Sequence, residues 1–348
     1  MARKIREQIL SREFNLSATD STTFETYARK WLKDGEATRK ASTHRFYRFN
    51  LELHTFPIIG TQAIHSLGRS DCRRLVASCR DKGLKVASVQ GVQRTLSAVL
   101  SQAVEDELLA ANPALRMGRH VRQGDEPKRE IAPLSKDEVQ RFLSAVESDW
   151  PEHYAFFLCA VRTGMRLGEL LALQWGDFDL KKGFVRIQRN LVAGRLTTPK
   201  NGTSRRVDLS KQLIETLERR LVAAKAEKLR SGKEELNPWV FANSEGKPLD
   251  GDNLRRRVFQ KALTRAKLRQ IRLHDLRHTY ASLLLAQGVA PLYVKDQLGH
   301  SSIKVTVDIY GHLFPGSNRD TVDKLDDSAV CIPAASESET ATTKDGRK

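Results

Sequence analysis

Cysteine is scarce in this sequence. Four are spread at positions 72, 79, 159 and 331 of 348 residues. None forms a CxxC pair, which argues against a disulfide scaffold and against a zinc ribbon. Long apolar runs are also missing: the longest, 154–161, falls far short of the roughly 18 residues a membrane helix needs. The first residues, Met1-Ala-Arg-Lys-Ile-Arg-Glu7, lack the apolar core of a signal peptide, so a cytoplasmic location and no membrane partner are expected. Acidic residues are in deficit, with 42 Asp+Glu against 59 Lys+Arg and a net charge of +17. Such an excess favours a polyanion, either nucleic acid or an acidic membrane face, and without a membrane segment nucleic acid is the reading. No internal repeat is present. What is there is 40% hydrophobic and 29% charged, the balance of a folded chain. Its length suits two domains at ~150 residues each.

Residues 1–20 read as a short N-terminal arm, with Ile5, Ile9 and Leu10 at weak helical spacing. From 21 to 115 every signal is helical. Thr23 can cap a helix carrying Phe24, Tyr27, Ala28, Trp31 and Leu32 on one face. The stretch 41–56 repeats the pattern with Phe46, Phe49 and Leu53, and Pro57 is expected to stop it. Trp31, Phe46 and Phe49 are read as core. Ser70 or Asp71 opens a third helix through Leu75, Val76 and Cys79, and 86–109 reads as one long helix ended by Asn112-Pro113. The stretch 116–133 mixes Gly and Pro with Arg119, Arg122, Lys128 and Arg129. It reads as a basic linker, either solvated or following a phosphate backbone.

A second domain spans 134–315. Ser135-Lys-Asp-Glu138 is a capping box ahead of Val139, Phe142, Leu143 and Val146. A helix over 152–163 stops at Gly164 with Cys159 buried in it, and 166–173 starts another. Alternation then appears at Phe184, Val185 and Ile187, at 196–198 and at 206–209. Asn201-Gly202 is a hairpin signal between the last two. Helices resume over 210–230, 253–267, 274–287, 291–298 and 302–310. The C-terminal tail, 316–348, is expected to be disordered from about 326 on. The fold class is mainly α (α+β): a helical N-terminal domain, then a mixed α/β domain with a small antiparallel sheet.

Helix 274–287 opens His274-Asp275-Leu276-Arg277-His278, where His274 shares a face with Arg277 and with His278. One reading is a zinc helix of the H-E-x-x-H type. Asp is too short to copy the general-base Glu, however, and Arg277 sets a positive charge beside the cation. No third ligand is evident, although His300 or His312 could be recruited. The other reading places His274 and Arg277 on an oxyanion such as phosphate. The bland one is a capping His and a surface Arg. Further residues bear on the choice. Leu298-Gly299-His300 sets a His in a turn between helices, Tyr310 closes the next helix, Thr163-Gly-Met-Arg166 starts a helix that carries Glu169, and Lys200 sits beside the Asn201-Gly202 turn. A Lys at such a turn is ordinarily solvated, and each signal alone is weak.

Together they resemble the tyrosine recombinase (phage integrase) family. The resemblance rests on TGMRLGELLALQWGDFD (163–179), TPKNGTSRRVDL (198–209), HDLRHTYASLLLAQGV (274–289) and LGHSSIKVTVDIYGHL (298–313). These run in family order at family spacing, and the resemblance spans almost all of 133–315. The region 21–115 looks like the family's core-binding domain by topology. The resemblance implies a C-shaped clamp on duplex DNA. It implies that Arg166 and Arg277 hold the scissile phosphate and that Tyr310 attacks it to leave a 3′-phosphotyrosine and a free 5′-hydroxyl. Lys200 would be the general acid, His274 an acid/base and His300 a hydrogen-bond donor to phosphate, with Glu169 orienting its neighbours. Because the covalent link conserves bond energy, no cofactor or metal is implied. The partners implied are double-stranded attachment sites and a homotetramer that resolves a four-way junction, with accessory excision or DNA-bending factors, on the nucleoid. Twenty residues are too few for a whole arm-binding domain, and the segment after Tyr310 is where the family docks on a neighbouring subunit. The expected reaction is integration and excision of a mobile element. A type IB topoisomerase, a non-catalytic DNA-binding protein and a zinc hydrolase on His274 and His278 are the competing readings. Arg45, Arg48, Arg73, Arg74, Arg255, Arg256 and Arg257 are candidates for DNA-backbone contact. Tyr154, Tyr280 and Tyr293 are only formal rivals to Tyr310.

Overall fold

The computed structural model describes residues 22–118, 132–198, 204–232 and 234–311. The N-terminal arm, most of the linker, Lys200 with the Asn201-Gly202 turn, His312 and the C-terminal tail lie outside the described residues. The described residues form two compact units, each with its own hydrophobic core.

The first unit is helical. Helix α1 (Phe24–Asp34) starts where Thr23 accepts the Thr26 amide, and it buries the five residues its spacing marks. Arg39 lies 3.6 Å over the Trp31 ring. Helix α2 (Ala41–Asn50) differs from expectation twice. Phe46, Phe49 and Leu53 are not core: they are 45%, 54% and 53% exposed. The face turned inward carries Asn50, Leu51 and Thr55 instead. Buried Asn50 is satisfied because its Nδ2 donates to Thr95 Oγ1 at 2.9 Å, so a polar residue holds the position hydrophobicity alone assigns to Phe49. The second difference is at Pro57, which does not stop the helix. The backbone loosens by one residue over Leu51–Thr55, with the Phe56 amide reaching the Leu51 carbonyl, and helical turns continue over Phe56–Ile59 with Pro57 in the first turn. There the missing proline N–H leaves no bond unmade. Helices α3 (Arg69–Asp81) and α4 (Val86–Glu105) complete the unit, α4 ending four residues before the sequence suggested.

In the second unit the capping box is present: Ser135 Oγ accepts the Glu138 amide at 3.2 Å and Glu138 Oε2 accepts the Ser135 amide at 2.8 Å. It opens α5 (Lys136–Asp149), followed by α6 (Pro151–Thr163) and the short α7 (Leu167–Leu171). Phe142, Phe156, Phe157, Phe241 and Phe259 meet mostly edge to face in the core, the arrangement aromatic quadrupoles favour.

The strands are β1 (Phe178–Asp179), β2 (Phe184–Ile187), β3 (Asn190–Val192), β4 (Arg195–Thr197) and β5 (Arg205–Asp208). Order β1-β2-β5 makes an antiparallel sheet, while β3 and β4 form a separate hairpin. The segments on either side of Asn201-Gly202 are therefore not paired with each other: β4 pairs β3 and β5 pairs β2. The turn that makes the hairpin is Ala193-Gly194, both with positive φ, which suits the twist of a two-residue connection. After α8 (Lys211–Arg230), helical turns run over Gly251–Asn253, Leu254–Phe259 and Gln260–Arg265. Helices α9 (Asp275–Ala286), α10 (Pro291–Leu298) and α11 (Ile303–Tyr310) then pack through a small cluster of Tyr280, Ala281, Leu285, Val294, Leu298 and Tyr310. Gly164 ends α6 and Gly299 ends α10, both left-handed at φ 59° and 65°.

Candidate active site

The site is built on the C-terminal end of α10. Three successive carbonyls there accept from three arginines on different elements. Arg205 Nε donates to Gln297 O at 3.0 Å, Arg277 Nη2 to Leu298 O at 2.6 Å and Arg166 Nη2 to Gly299 O at 3.3 Å. A helix C-terminus gathers guanidinium groups well, because its last carbonyls have no partner inside the helix and carry its partial negative charge. Arg277 Nη1 also donates to Gly164 O at 2.7 Å, so this buried side chain joins the ends of α6 and α10. Burial and the charges of Arg166 and Arg205 push Arg277 down to about 9, which leaves it charged at neutral pH.

Glu169 organises the other two arginines. Arg205 grips it with two parallel bonds, Nη1 to Oε1 at 2.9 Å and Nη2 to Oε2 at 2.7 Å. Arg166 adds its backbone amide at 2.9 Å and Nη1 at 3.0 Å. Burial raises the carboxyl, but the Arg205 bonds and charge, with Arg166, outweigh it and hold Glu169 at about 2. The Glu169 side chain is 1% exposed and that of Arg166 26%. With Arg205 neutralising the carboxylate, Arg166 presents its remaining donors and charge outward. The close fit at Gly299 supports this arrangement: a Cβ there would lie 2.8 Å from Arg205 Cδ.

Imidazoles line the other side. His274 precedes α9, and its ring meets that of His278 edge to face at 5.3 Å. His278 Nδ1 lies 2.6 Å from Tyr310 Oη. His300 follows Gly299 in the turn, its Nδ1 2.9 Å from Thr306 Oγ1. Burial first, then nearby positive charge, lowers all three: His274 downward, and His278 and His300 to about 4 each. At neutral pH they are neutral. Burial raises the Tyr310 phenol above its ordinary value, while the Arg277 charge opposes that rise.

Arg166, Glu169, His274, Arg277, His300 and Tyr310 thus come together, while Lys200 falls outside the described residues. Arg45, Arg48, Arg73 and Arg74 are exposed on the first unit, with Arg74 paired to Asp71 at 2.8 Å. Arg255, Arg256 and Arg257 are exposed on the second, Arg255 paired to Asp252 at 3.0 Å. Two site residues escape the sequence reading. Arg205 carries a signal in the two-residue period of β5, which puts it on the same face as buried Val207. His278 is four residues from His274 on one helix face, a spacing weighed only for metal. Tyr293 instead donates to Asp208 at 2.9 Å. Among the described residues no three His, Cys, Asp or Glu side chains gather as a metal set, and no helix is long and apolar enough to cross a membrane.

An arginine-rich pocket beside a buried tyrosine, on a mainly helical domain with a small antiparallel sheet, defines a class of DNA strand transferases, and comparison with known proteins agrees. The sequence model of the phage integrase family matches residues 133–316. Over 332 residues the chain is 28% identical to the ICEBs1 integrase of Bacillus subtilis, covering 92% of this chain and 88% of that protein. It is 29% identical over 306 residues to a XerC-like tyrosine recombinase of Caldanaerobacter subterraneus, covering 82% and 75%. Among solved structures, the Tn1549 transposon integrase in complex with transposon right end DNA shares the fold with a TM-score of 0.73 at 20% identity, over 87% of this chain and 99% of that one. A lambda integrase dimer bound to a core site gives 0.62 at 20% identity, over 82% and 97%. The chain belongs to the phage integrase family and is a tyrosine site-specific recombinase.

Proposed function

We propose that Tyr310 attacks a phosphodiester of duplex DNA held by Arg166 and Arg277, cutting the strand as a 3′-phosphotyrosine and freeing a 5′-hydroxyl. The observation that carries this reading is the junction at 297–300, where two arginines and His300 meet a single helix end and Tyr310 sits on the next helix. Fixed guanidinium donors can stabilise charge on the non-bridging oxygens as it develops. His300 binds a phosphate oxygen, His274 serves as acid/base, Lys200 protonates the leaving 5′-oxygen and Glu169 orients Arg166. The phosphotyrosine keeps the bond energy, so a second 5′-hydroxyl can rejoin the strand without a cofactor.

The DNA partner is an attachment site, synapsed by a homotetramer through a Holliday junction, and the biological outcome is integration and excision of a mobile element. Residues 21–115 act as the core-binding domain and 134–315 as the catalytic domain. Arg45, Arg48, Arg73, Arg74, Arg255, Arg256 and Arg257 contact the backbone, whose charge dominates affinity. An accessory factor sets direction, and the protein works on the nucleoid. Support comes from similarity to a prophage integrase and to a transposon integrase, and from a lambda integrase tetramer bound to a Holliday junction.

The test uses nicked half-site duplexes from the DNA flanking the gene, with chelator present, mixed with wild type or Tyr310→Phe. An SDS-resistant adduct mapped to Tyr310 on the 3′ side, absent in the variant, is expected. Tight binding without an adduct, or an adduct on another residue, would overturn the reading.

A further inference from the structure

We propose that His278 is a further catalytic residue: its Nδ1 takes the proton from the Tyr310 hydroxyl as that oxygen attacks phosphorus, and returns it when the strand is rejoined. This rests on Tyr310 being the nucleophile. Four observations support it. His278 Nδ1 and Tyr310 Oη are 2.6 Å apart, within the reach a proton acceptor needs before any rearrangement. Tyr310 is 2% exposed and His278 7%, so the phenol is shielded from bulk solvent and the imidazole is the base it already touches. The other imidazoles are placed elsewhere: His300 is on Thr306, and the ring that meets His274 edge to face is that of His278. Finally, His278 is neutral at neutral pH, and in the tautomer that carries the ring proton on Nε2 its Nδ1 offers the phenol a lone pair.

A neutral, buried imidazole is a weak base until substrate arrives. Burial first, then His274, Arg272 and Arg277, hold its proton affinity down, and Asp275 pushes it up. A phosphodiester docked on Arg166 and Arg277 brings a negative charge into that field and raises it further. The step then balances. The Oη–H bond breaks and the proton goes to Nδ1; an Oη lone pair forms the bond to phosphorus. The bond from phosphorus to the 5′-oxygen breaks with its electron pair on that oxygen, which takes a proton from Lys200. Rejoining runs in reverse, with the imidazolium returning the proton to Oη.

The experiment uses half-site duplexes in which sulfur replaces the bridging 5′-oxygen at the scissile phosphate. A thiolate leaves without a general acid, so the rate of adduct formation reports the attacking side alone. Wild type should form the adduct, and Lys200→Ala, slow on the oxygen duplex, should recover on the sulfur one. His278→Ala and His278→Gln should bind both duplexes as tightly as wild type but react at least ~100-fold slower on each, the low end for a lost proton acceptor. Glutamine can accept a hydrogen bond but not the proton, so a His278→Gln rate equal to wild type would reduce His278 to a positioning group and overturn the proposal. A faster His278→Ala would make it a latch and also overturn it. Should neither variant fold, the wild-type rate on the sulfur duplex should fall in heavy water, because the proton moves in the same step as the attack, and an unchanged rate is equally fatal. Failure of wild type itself to form an adduct would instead count against Tyr310 as nucleophile.

Discussion

Replacing Arg205 with Gln tests how the buried charges of the site are balanced. Glu169 titrates at about 2 against an ordinary 4.5, a gap of about 2.5 units worth roughly 3 kcal/mol of stability at neutral pH. Arg166 supplies part of this, so the Arg205 share is on the order of 2 kcal/mol. Removing Arg205 also takes the Nε donor from Gln297 O, which adds about 1 kcal/mol for a carbonyl left unpaired. The expected loss is therefore roughly 3 kcal/mol, at the lower edge of the range for breaking a buried pair. For a unit of this size that lowers Tm by roughly 6–12 °C. The pH dependence has a definite sign. Because the folded pKa is depressed, the contribution is fully present above the unfolded value near 4.5 and fades as pH falls towards 2. Urea unfolding of wild type and Arg205→Gln should therefore converge on acidification below about pH 4.5. Adding Glu169→Gln to Arg205→Gln should restore part of the loss, since the stranded charge is gone. A loss below about 1 kcal/mol at pH 7, or a gap that stays constant down to pH 3, would refute the reasoning.

Three further outcomes are expected. Gly299→Ala should cost about 2 kcal/mol or more by thermal unfolding, since φ is 65° and the new Cβ meets Arg205 at 2.8 Å; a neutral change would show that the turn relaxes freely. Tyr310→Phe, besides losing the adduct, should lower stability by about 1–2 kcal/mol, because it leaves His278 Nδ1 buried without the phenol; calorimetry at pH 7 reads it. Since His278 and His300 are depressed to about 4 in the folded protein, the unfolded chain binds more protons between about pH 6.5 and 4, so stability falls as pH drops through that window. His278→Asn should flatten part of the slope in urea titrations across it.

Much of the fold is legible because local chemistry decides it. Ser135 and Glu138 can bond each other's amides only at a helix start, and Gly164 takes a left-handed φ at a helix end. In α2 two faces compete, and hydrophobicity favours the one with Phe46, Phe49 and Leu53. The structure buries the other because Asn50 finds Thr95, 45 residues away, a partner no local pattern reveals. The hairpin misreading has the same origin. Asn201-Gly202 is a strong signal, but β5 carries Val207, which is buried against β2, and that pairing spans far more sequence than a turn. At the site, Arg166, Glu169, His274, Arg277, His300 and Tyr310 are picked out by the resemblance to the tyrosine recombinase family, each signal alone being weak. Arg205 and His278 stay hidden because their importance lies in what they touch: a carboxylate 36 residues upstream and a phenol 32 residues downstream.

The three carbonyls at 297–299 have a consequence for how the site can fail. Arg205, Arg277 and Arg166 read the position of one helix end, residue by residue, and His300 is the next residue along the chain. A rotation or slide of that end is therefore felt at three guanidinium groups at once. The position of α10 thus couples the three groups of the anion cradle, while Glu169 and the Gly164 carbonyl keep their own hold on the same arginines.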